Sequence, residues 1–343
     1  MPKLILYAPN VHTGGGKTLL MLMLKDLEAY DASLILDKRL GYTSNNETKV
    51  IVNIKPTLFS RYKSELILKK NSSSGDVVLC FHSLPPIFKS KAKVLVYFHN
   101  KHLINQSNKL LFNENYRTII RILLERFLAS IFYKNVDEYI VQTETMKRSL
   151  DNFYSKNMSP VNIYPFMKKT IYKKGANLSN IDFVYVSVGL KHKNHKTLIL
   201  AWVHLAEQGI YPKLTLTLAQ NNRDLINMID KLVEKYHIKV ENLGYIDTSR
   251  VADLYSQAKA LIYPSLLESF GLPLIEAQMA ELPILASELD YVRDVCEPIE
   301  TFDPKSHISI AKAVKRYLKI TTNENKVYTS HEFIQSIYKD VQK

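Results

Sequence analysis

Short apolar runs rich in β-branched and aromatic residues alternate along the chain with longer stretches of helical periodicity. This alternation predicts an α/β protein built on parallel sheets. A first strand at 4–8 leads through Asn10 to Lys17 into a helix at 18–29. Further strands are predicted at 33–36, 50–54, 76–81, 93–98 and 136–143, followed by a helix at 144–153 and a short strand, 161–165, closed by a proline. Periodicity lapses over 168–179, a polar and basic stretch that reads as a linker. It resumes with strands at 183–188 and 214–218 and helices at 198–206, 223–236 and 249–257. Ala260 to Tyr263 has the length and composition of a buried strand and stops at Pro264 and Ser265. A polar loop follows, and Pro273 then opens a helix at a position where its missing N–H costs nothing. A helix at 308–318 and helical spacing over 330–341 complete the pattern. The chain is thereby divided into residues 1–165, a linker at 166–180, a second doubly wound unit at 181–327 and a terminal helix at 328–343.

One stretch is ambiguous. Residues 117–134, RTIIRILLERFLASIFYK, are strongly apolar apart from a stripe on which Arg117, Arg121 and Glu125 recur at four-residue spacing. The simpler expectation is a helix packing a wide apolar face on the sheet. The alternative is a helix lying on a membrane surface.

Composition narrows the partners more than the fold. At 343 residues, 46% hydrophobic and 23% charged, the chain can bury two cores in units of about 100 to 200 residues each. Cys80 and Cys296 stand far apart, which excludes a disulfide framework and a Cys-x-x-Cys site and fits a reducing cytoplasm. The apolar start is too short for a signal peptide, and no run approaches the roughly 20 apolar residues of a membrane span. The net charge of +13 is uneven: residues 1–165 hold 23 basic and 13 acidic residues, whereas 166–343 hold 23 and 20. The basic half should face an anionic partner, either nucleic acid or an anionic membrane surface. Zinc-finger spacing, an RNP-like aromatic strand and a long basic helix are all missing, so no nucleic acid is expected and the membrane is favoured. Lys89, Lys91 and Lys93, with Arg117 and Arg121, are the candidate contacts.

Candidate chemistry concentrates in 261–287, LIYPSLLESFGLPLIEAQMAELPILAS. In an α/β sheet such a loop lies at the carboxyl end of a strand, where ligands bind. The N–H groups of Gly271 and its neighbours, with the helix dipole, favour a phosphate. Glu268 and Glu276, eight residues apart, would instead accept from hydroxyls, and the combination suits a sugar nucleotide. Gly14-Gly15-Gly16-Lys17-Thr18 invites a nucleoside triphosphatase reading, but the Walker pattern needs a glycine where Val11 stands. Three glycines between a first strand and first helix still let backbone approach a ligand. Lys191 and Lys193 follow a strand ending near Gly189 and look like a diphosphate clamp. His192 and His195 have no acidic or cysteine ligand beside them to suggest a metal. His99 closes the 93–98 strand as a polar wall of the cleft, and His82 is a weaker candidate for the same wall.

In order, Pro264-Ser265, Glu268-Ser269-Phe270-Gly271-Leu272-Pro273 and Glu276-Ala277 resemble the E-x7-E motif of family 4 glycosyltransferases, retaining enzymes of GT-B fold. The resemblance covers the whole second unit with specific motifs and the first only loosely, where Val141-Gln142-Thr143-Glu144 is similar to the usual end of the first domain. It implies two doubly wound Rossmann-like domains around a cleft, with the acceptor on the first and a nucleotide-sugar donor on the second. It places Glu268 on the donor sugar and Glu276 on the ribose, with Ser269 and the amides of Phe270, Gly271 and Leu272 near sugar and phosphates. It brings Gly14, Gly15 and Gly16 to the diphosphate, His99 to the sugar and acceptor, and backbone around Gly244 and Tyr245 to the base. Glu268, Lys193 and His99 become the catalytic set. Lys193 matches the family's phosphate-loop lysine; the preceding arginine is replaced by Leu190, leaving Lys191 as a substitute with poorer bidentate geometry. Glu281 and Leu282 stand where the family has a glycine before the next strand, so a changed turn is expected there.

The implied activity is transfer of a sugar to a lipid-linked glycan for a bacterial surface polysaccharide, at the cytoplasmic face of the membrane. No cofactor is expected, and the lack of an Asp-x-Asp at a strand end predicts no metal. A sugar-nucleotide epimerase of the same fold and a non-catalytic carbohydrate-binding protein are the alternatives.

Overall fold

The computed structural model describes residues 3–45, 50–104, 116–154, 158–167, 181–320, 329–331 and 334–335. Among these, thirteen strands form two wholly parallel sheets. The first comprises β1 Leu4–Ala8, β2 Ala32–Asp37, β3 Ile51–Ile54, β4 Val77–Cys80, β5 Lys93–Tyr97, β6 Glu138–Val141 and β7 Val161–Ile163, in the order β3-β2-β1-β4-β5-β6-β7. The second comprises β8 Ile181–Tyr185, β9 Leu214–Leu216, β10 Val240–Asn242, β11 Ala258–Tyr263, β12 Ile284–Ser287 and β13 Glu300–Phe302, in the order β10-β9-β8-β11-β12-β13. Helices cover the faces, so central strands are buried on both sides and read as unbroken apolar runs. In β1 only Leu4 is not fully buried, and Leu6 pairs with Leu34 on one side and Leu79 on the other.

Each sheet reverses direction once, between β1 and β4 and between β8 and β11. Loops diverge at such a point and leave a crevice at the carboxyl ends of the strands. The two crevices face each other. Thr143, after β6, donates to the Ser269 carbonyl after β11 at 3.5 Å. The Asp294 carboxylate caps the Thr145 N–H at 2.7 Å, at the start of helix Glu144–Tyr154. His102 and His192 meet edge to face with ring centres 4.9 Å apart. This is a GT-B architecture.

Several expectations are corrected. The helix expected from residue 18 begins at Gly14, so the three glycines form its first turn rather than a loop before it. Gly14 takes φ +65°, the left-handed conformation that glycine adopts without a Cβ clash. Helix Leu58–Asn71, not expected from the sequence, is fixed by Thr57, whose hydroxyl accepts from the Ser60 N–H at 3.2 Å. Helix Tyr116–Phe132 packs only a narrow face on the sheet, with Ile122 and Ala129 in its core, and leaves most of its apolar surface exposed. Lys93 is paired with Glu138 at 2.9 Å and is not a free surface cation. Glu281 itself takes the left-handed conformation at φ +53°, where glycine would avoid a cost of about 1 kcal/mol. The linker over 168–180 and nearly all of the terminal helix over 328–343 lie outside the described residues.

Candidate active site

The C-terminal half of the site is assembled by two loops that the chain makes 75 residues apart. Asn194, buried and left-handed at φ +64°, donates from Nδ2 to the carbonyls of Pro264 at 3.0 Å and Pro304 at 2.6 Å. The Leu266 N–H donates to the His192 carbonyl at 2.8 Å. These bonds pin the loop after β8 to the loop after β11. Lys193 Nζ thereby meets Glu268 Oε1 at 2.6 Å, with 15% and 12% of the two side chains exposed. The Tyr263 hydroxyl, at the end of β11, donates to the same oxygen at 2.8 Å. Burial pushes the Glu268 carboxyl up, but the Lys193 ammonium outweighs it and holds the pKa below the ordinary value. Glu268 is therefore a carboxylate with Oε1 used twice, and the Ser265 hydroxyl also favours its charged form.

Glu276 is held differently. The fully buried Tyr255 donates to its Oε2 at 3.3 Å, and among the described residues no cation pairs with it. Burial raises its pKa, with the tyrosine bond opposing. Tyr255 and Tyr263 repeat the spacing of Glu268 and Glu276, each phenol serving one carboxylate. Sequence reasoning missed both. The available signal, for Tyr263, was that a buried tyrosine at a strand end needs a partner for its hydroxyl.

Two helix N-termini converge across the cleft. Helix Leu272–Met279 starts from Gly271 at φ +75°, and helix Gly14–Asp26 starts from Thr13; neither N-cap side chain bonds the first amides. A Cβ on Gly15 would stand 3.8 Å from Leu272 Cδ1, so the two ends touch across the cleft. Open N–H groups and two positive dipole ends make this space favourable for an anion.

On the N-terminal wall, the His99 N–H and Asn100 N–H both donate to Ser83 Oγ, at 3.0 and 3.1 Å, fixing the turn after β5. The His99 ring lies against Phe81 and Tyr97. Burial lowers its pKa to about 4, so the imidazole is neutral near pH 7. Its Nε2 is 2.7 Å from where a Cβ on Gly16 would sit. Gly16→Ala is therefore expected to push the His99 ring aside while improving helix propensity. Turnover should fall roughly 10- to 100-fold for a displaced site group, with no loss of thermal stability. Parental kcat in this variant would remove His99 from the reacting geometry.

The structure thus pairs Lys193 with Glu268, Gly16 with His99 and Gly15 with Leu272 around one cleft, while Glu276 meets Tyr255 on the helix that Leu272 starts. Other expected residues stand apart. Lys191 is exposed and joins no ion pair among the described residues. Tyr245 is 74% exposed after edge strand β10, beside Gly244 at φ +75°. His82 does not line the wall as expected. It is buried, with Nδ1 3.3 Å from the Tyr7 carbonyl and its ring edge-on to Tyr7. His195 is buried against Tyr185, and among the described residues no group of three or more histidine, cysteine or acidic side chains could hold a metal. Lys101 was also missed: it reaches across the cleft to within 5.9 Å of the Tyr291 ring centre, and burial lowers its pKa.

Residues 167–335 match the family described as Glycosyl transferases group 1. The chain is 23% identical over 263 residues to the O-antigen chain mannosyltransferase RfbU of Salmonella typhimurium, an alignment covering 70% of this chain and 72% of that protein. It is 29% identical over 146 residues to the serotype-specific mannosyltransferase WbdA of Escherichia coli, covering 40% of this chain and 17% of that one. Among solved structures it resembles sucrose-phosphate synthase from Thermosynechococcus elongatus, with TM-score 0.68 and 15% identity, over 93% of this chain and 90% of that one. It also resembles Anabaena Alr3699/HepE in complex with UDP and glucose, with TM-score 0.66 and 13% identity over the same shares. At these identities the structural likeness speaks for the fold.

Proposed function

Because the chain belongs, through residues 167–335, to the group 1 glycosyltransferases, we propose that it moves a sugar from a nucleotide-sugar donor to a lipid-linked glycan, with retention at the anomeric carbon. The setting is assembly of a bacterial surface polysaccharide such as O-antigen or capsule, at the cytoplasmic face of a membrane. Relatives named as an O-antigen chain mannosyltransferase and a serotype-specific mannosyltransferase support that setting and suggest a hexose donor.

The observation that carries this reading is Lys193 bonded to Glu268 in the loop that feeds helix Leu272–Met279, whose uncapped N-terminus meets that of helix Gly14–Asp26. Breaking the bond from the anomeric carbon to the phosphate oxygen leaves charge on the diphosphate. Lys193 and the amides of the Gly14 turn answer it in this reading, and such preorganised donors usually supply the largest electrostatic gain. The acceptor oxygen attacks on the leaving-group side, and its proton passes to a donor phosphate oxygen. Glu268 binds sugar hydroxyls and forms no covalent intermediate. Glu276 accepts from ribose hydroxyls, and neutral His99 faces the sugar. The reaction on this account needs no metal.

Mass spectrometry of products from a panel of nucleotide sugars and lipid-linked acceptors tests the reading, with anomeric configuration assigned by NMR. Donor consumption only with acceptor present, retention, and equal rates with and without a chelator are expected. Sugar interconversion without acceptor would establish the epimerase, and donor binding without turnover the binding protein.

A further inference from the structure

Building on the membrane setting above, we propose that the face carrying helices Leu58–Asn71 and Tyr116–Phe132 docks on an anionic lipid bilayer. The connections from β3 to β4 and from β5 to β6 run the same way along the sheet, so right-handed crossovers lay both helices on one face. The segment between β4 and β5 ties them together. The Ile87 N–H donates to Glu65 Oε2 at 2.9 Å, Phe88 meets Tyr62 with ring centres 5.9 Å apart, and Asn135, just past the second helix, donates to the Pro86 and Ile87 carbonyls.

This face has two properties that water alone does not favour. On the second helix Tyr116, Ile120, Leu123, Leu124, Phe127 and Ile131 recur at the spacing of one helical face and are between 45% and 66% exposed. Phe59, Tyr62 and Leu66 form a second exposed stripe on the first helix. Large apolar stripes of this kind mark interaction surfaces. The charges between them have one sign. Lys63, Lys69, Lys70, Arg117 and Arg121 are exposed, whereas the helices' two carboxylates, Glu65 and Glu125, are turned inward, and burial raises the pKa of both. Lys69 and Lys70 also join Lys89 and Lys91 around an open concavity of about 410 Å³.

The occupant follows from that combination. Apolar side chains with only cations between them fit acyl chains beneath anionic headgroups, the arrangement of an in-plane amphipathic helix. A second copy would set these cations against their own kind, and a nucleic acid would leave the apolar stripes uncovered. The face also adjoins the cleft. Arg126, on the second helix, donates from Nη2 to the His102 carbonyl at 2.9 Å, and His102 meets His192 across the cleft. Docking would therefore hold the acceptor side of the cleft at the lipid surface.

Flotation of the full chain with phosphatidylcholine vesicles, with and without phosphatidylglycerol, tests this. At least about tenfold greater recovery on the anionic vesicles is expected, falling at high salt. The pair Ile120→Glu with Phe127→Glu should abolish recovery, and Lys69→Glu with Lys70→Glu should reduce it. Both pairs should keep parental affinity for a nucleoside diphosphate, which certifies the fold. Equal recovery on both vesicles, unaltered recovery in the apolar variant, or a dimer dispersed by that variant without vesicle binding would each overturn docking. Transfer to a detergent-soluble acceptor keeps the two readings apart. A parent that transfers but never floats ends the docking proposal alone, and one that floats but never transfers ends the transferase reading alone.

Discussion

Replacing Lys193 with Met is expected to lower kcat by roughly 100-fold or more, because the stem remains and only the charge beside the leaving diphosphate is lost. The ion pair adds a second consequence. Glu268 is nearly enclosed and would lose its cation while keeping the Tyr263 hydroxyl at Oε1. Breaking one partner of such a pair costs on the order of 3 kcal/mol. The sign with pH follows from the depressed pKa of Glu268. Its contribution to stability is present above the ordinary carboxylate pKa and is lost as pH falls through the depressed value. In Lys193→Met that acid-side loss should disappear, since the carboxyl no longer prefers its charged form. The double variant Lys193→Met with Glu268→Gln should recover most of the stability and none of the turnover. Chemical denaturation and saturating-donor kinetics measure the two separately. Near-parental turnover in Lys193→Met would move the diphosphate contact elsewhere, first to exposed Lys191.

Glu276→Ala should weaken binding of a free nucleoside diphosphate by about 1.5 to 3 kcal/mol if the carboxylate accepts charge-assisted bonds from the ribose. Glu268→Ala should depress turnover more than this affinity. Calorimetric titration decides: parental affinity in Glu276→Ala would end the ribose assignment. Glu276 also makes a prediction of opposite sign for stability. Its pKa is raised by burial, so the folded protein loses stability as pH rises from the ordinary carboxylate value through the raised one. Glu276→Gln should therefore be more stable than the parent at neutral pH while binding the nucleotide less well. Parental affinity should decline as pH falls through that raised value, and the Gln variant should show no such limb.

The alternation of strands and helices was legible in the sequence because its signals are local. Apolar period, proline and glycine report on the few residues around them, as the β11 run, Pro264 and Pro273 do. The E-x7-E pair was legible for the same reason, since both carboxylates sit on one loop and the helix it feeds. Tertiary structure decided what those carboxylates meet. Lys193 reaches Glu268 across 75 positions, and Asp294 caps Thr145 across 149. Tyr255 and Tyr263 acquire their roles only when β11 and the preceding helix bring their hydroxyls under the loop. The glycine turn was placed too late because poor helix propensity argues against Gly14 to Gly16, while the fold leaves their amides open at a helix start. Helix Tyr116–Phe132 shows the limit most plainly. Its periodicity marks an apolar stripe, but a stripe carries no record of whether its neighbour is the sheet or the solvent. Only the packing of β5, β6 and the adjoining helix leaves that stripe outside, since burial is a property of neighbours and not of the residues themselves.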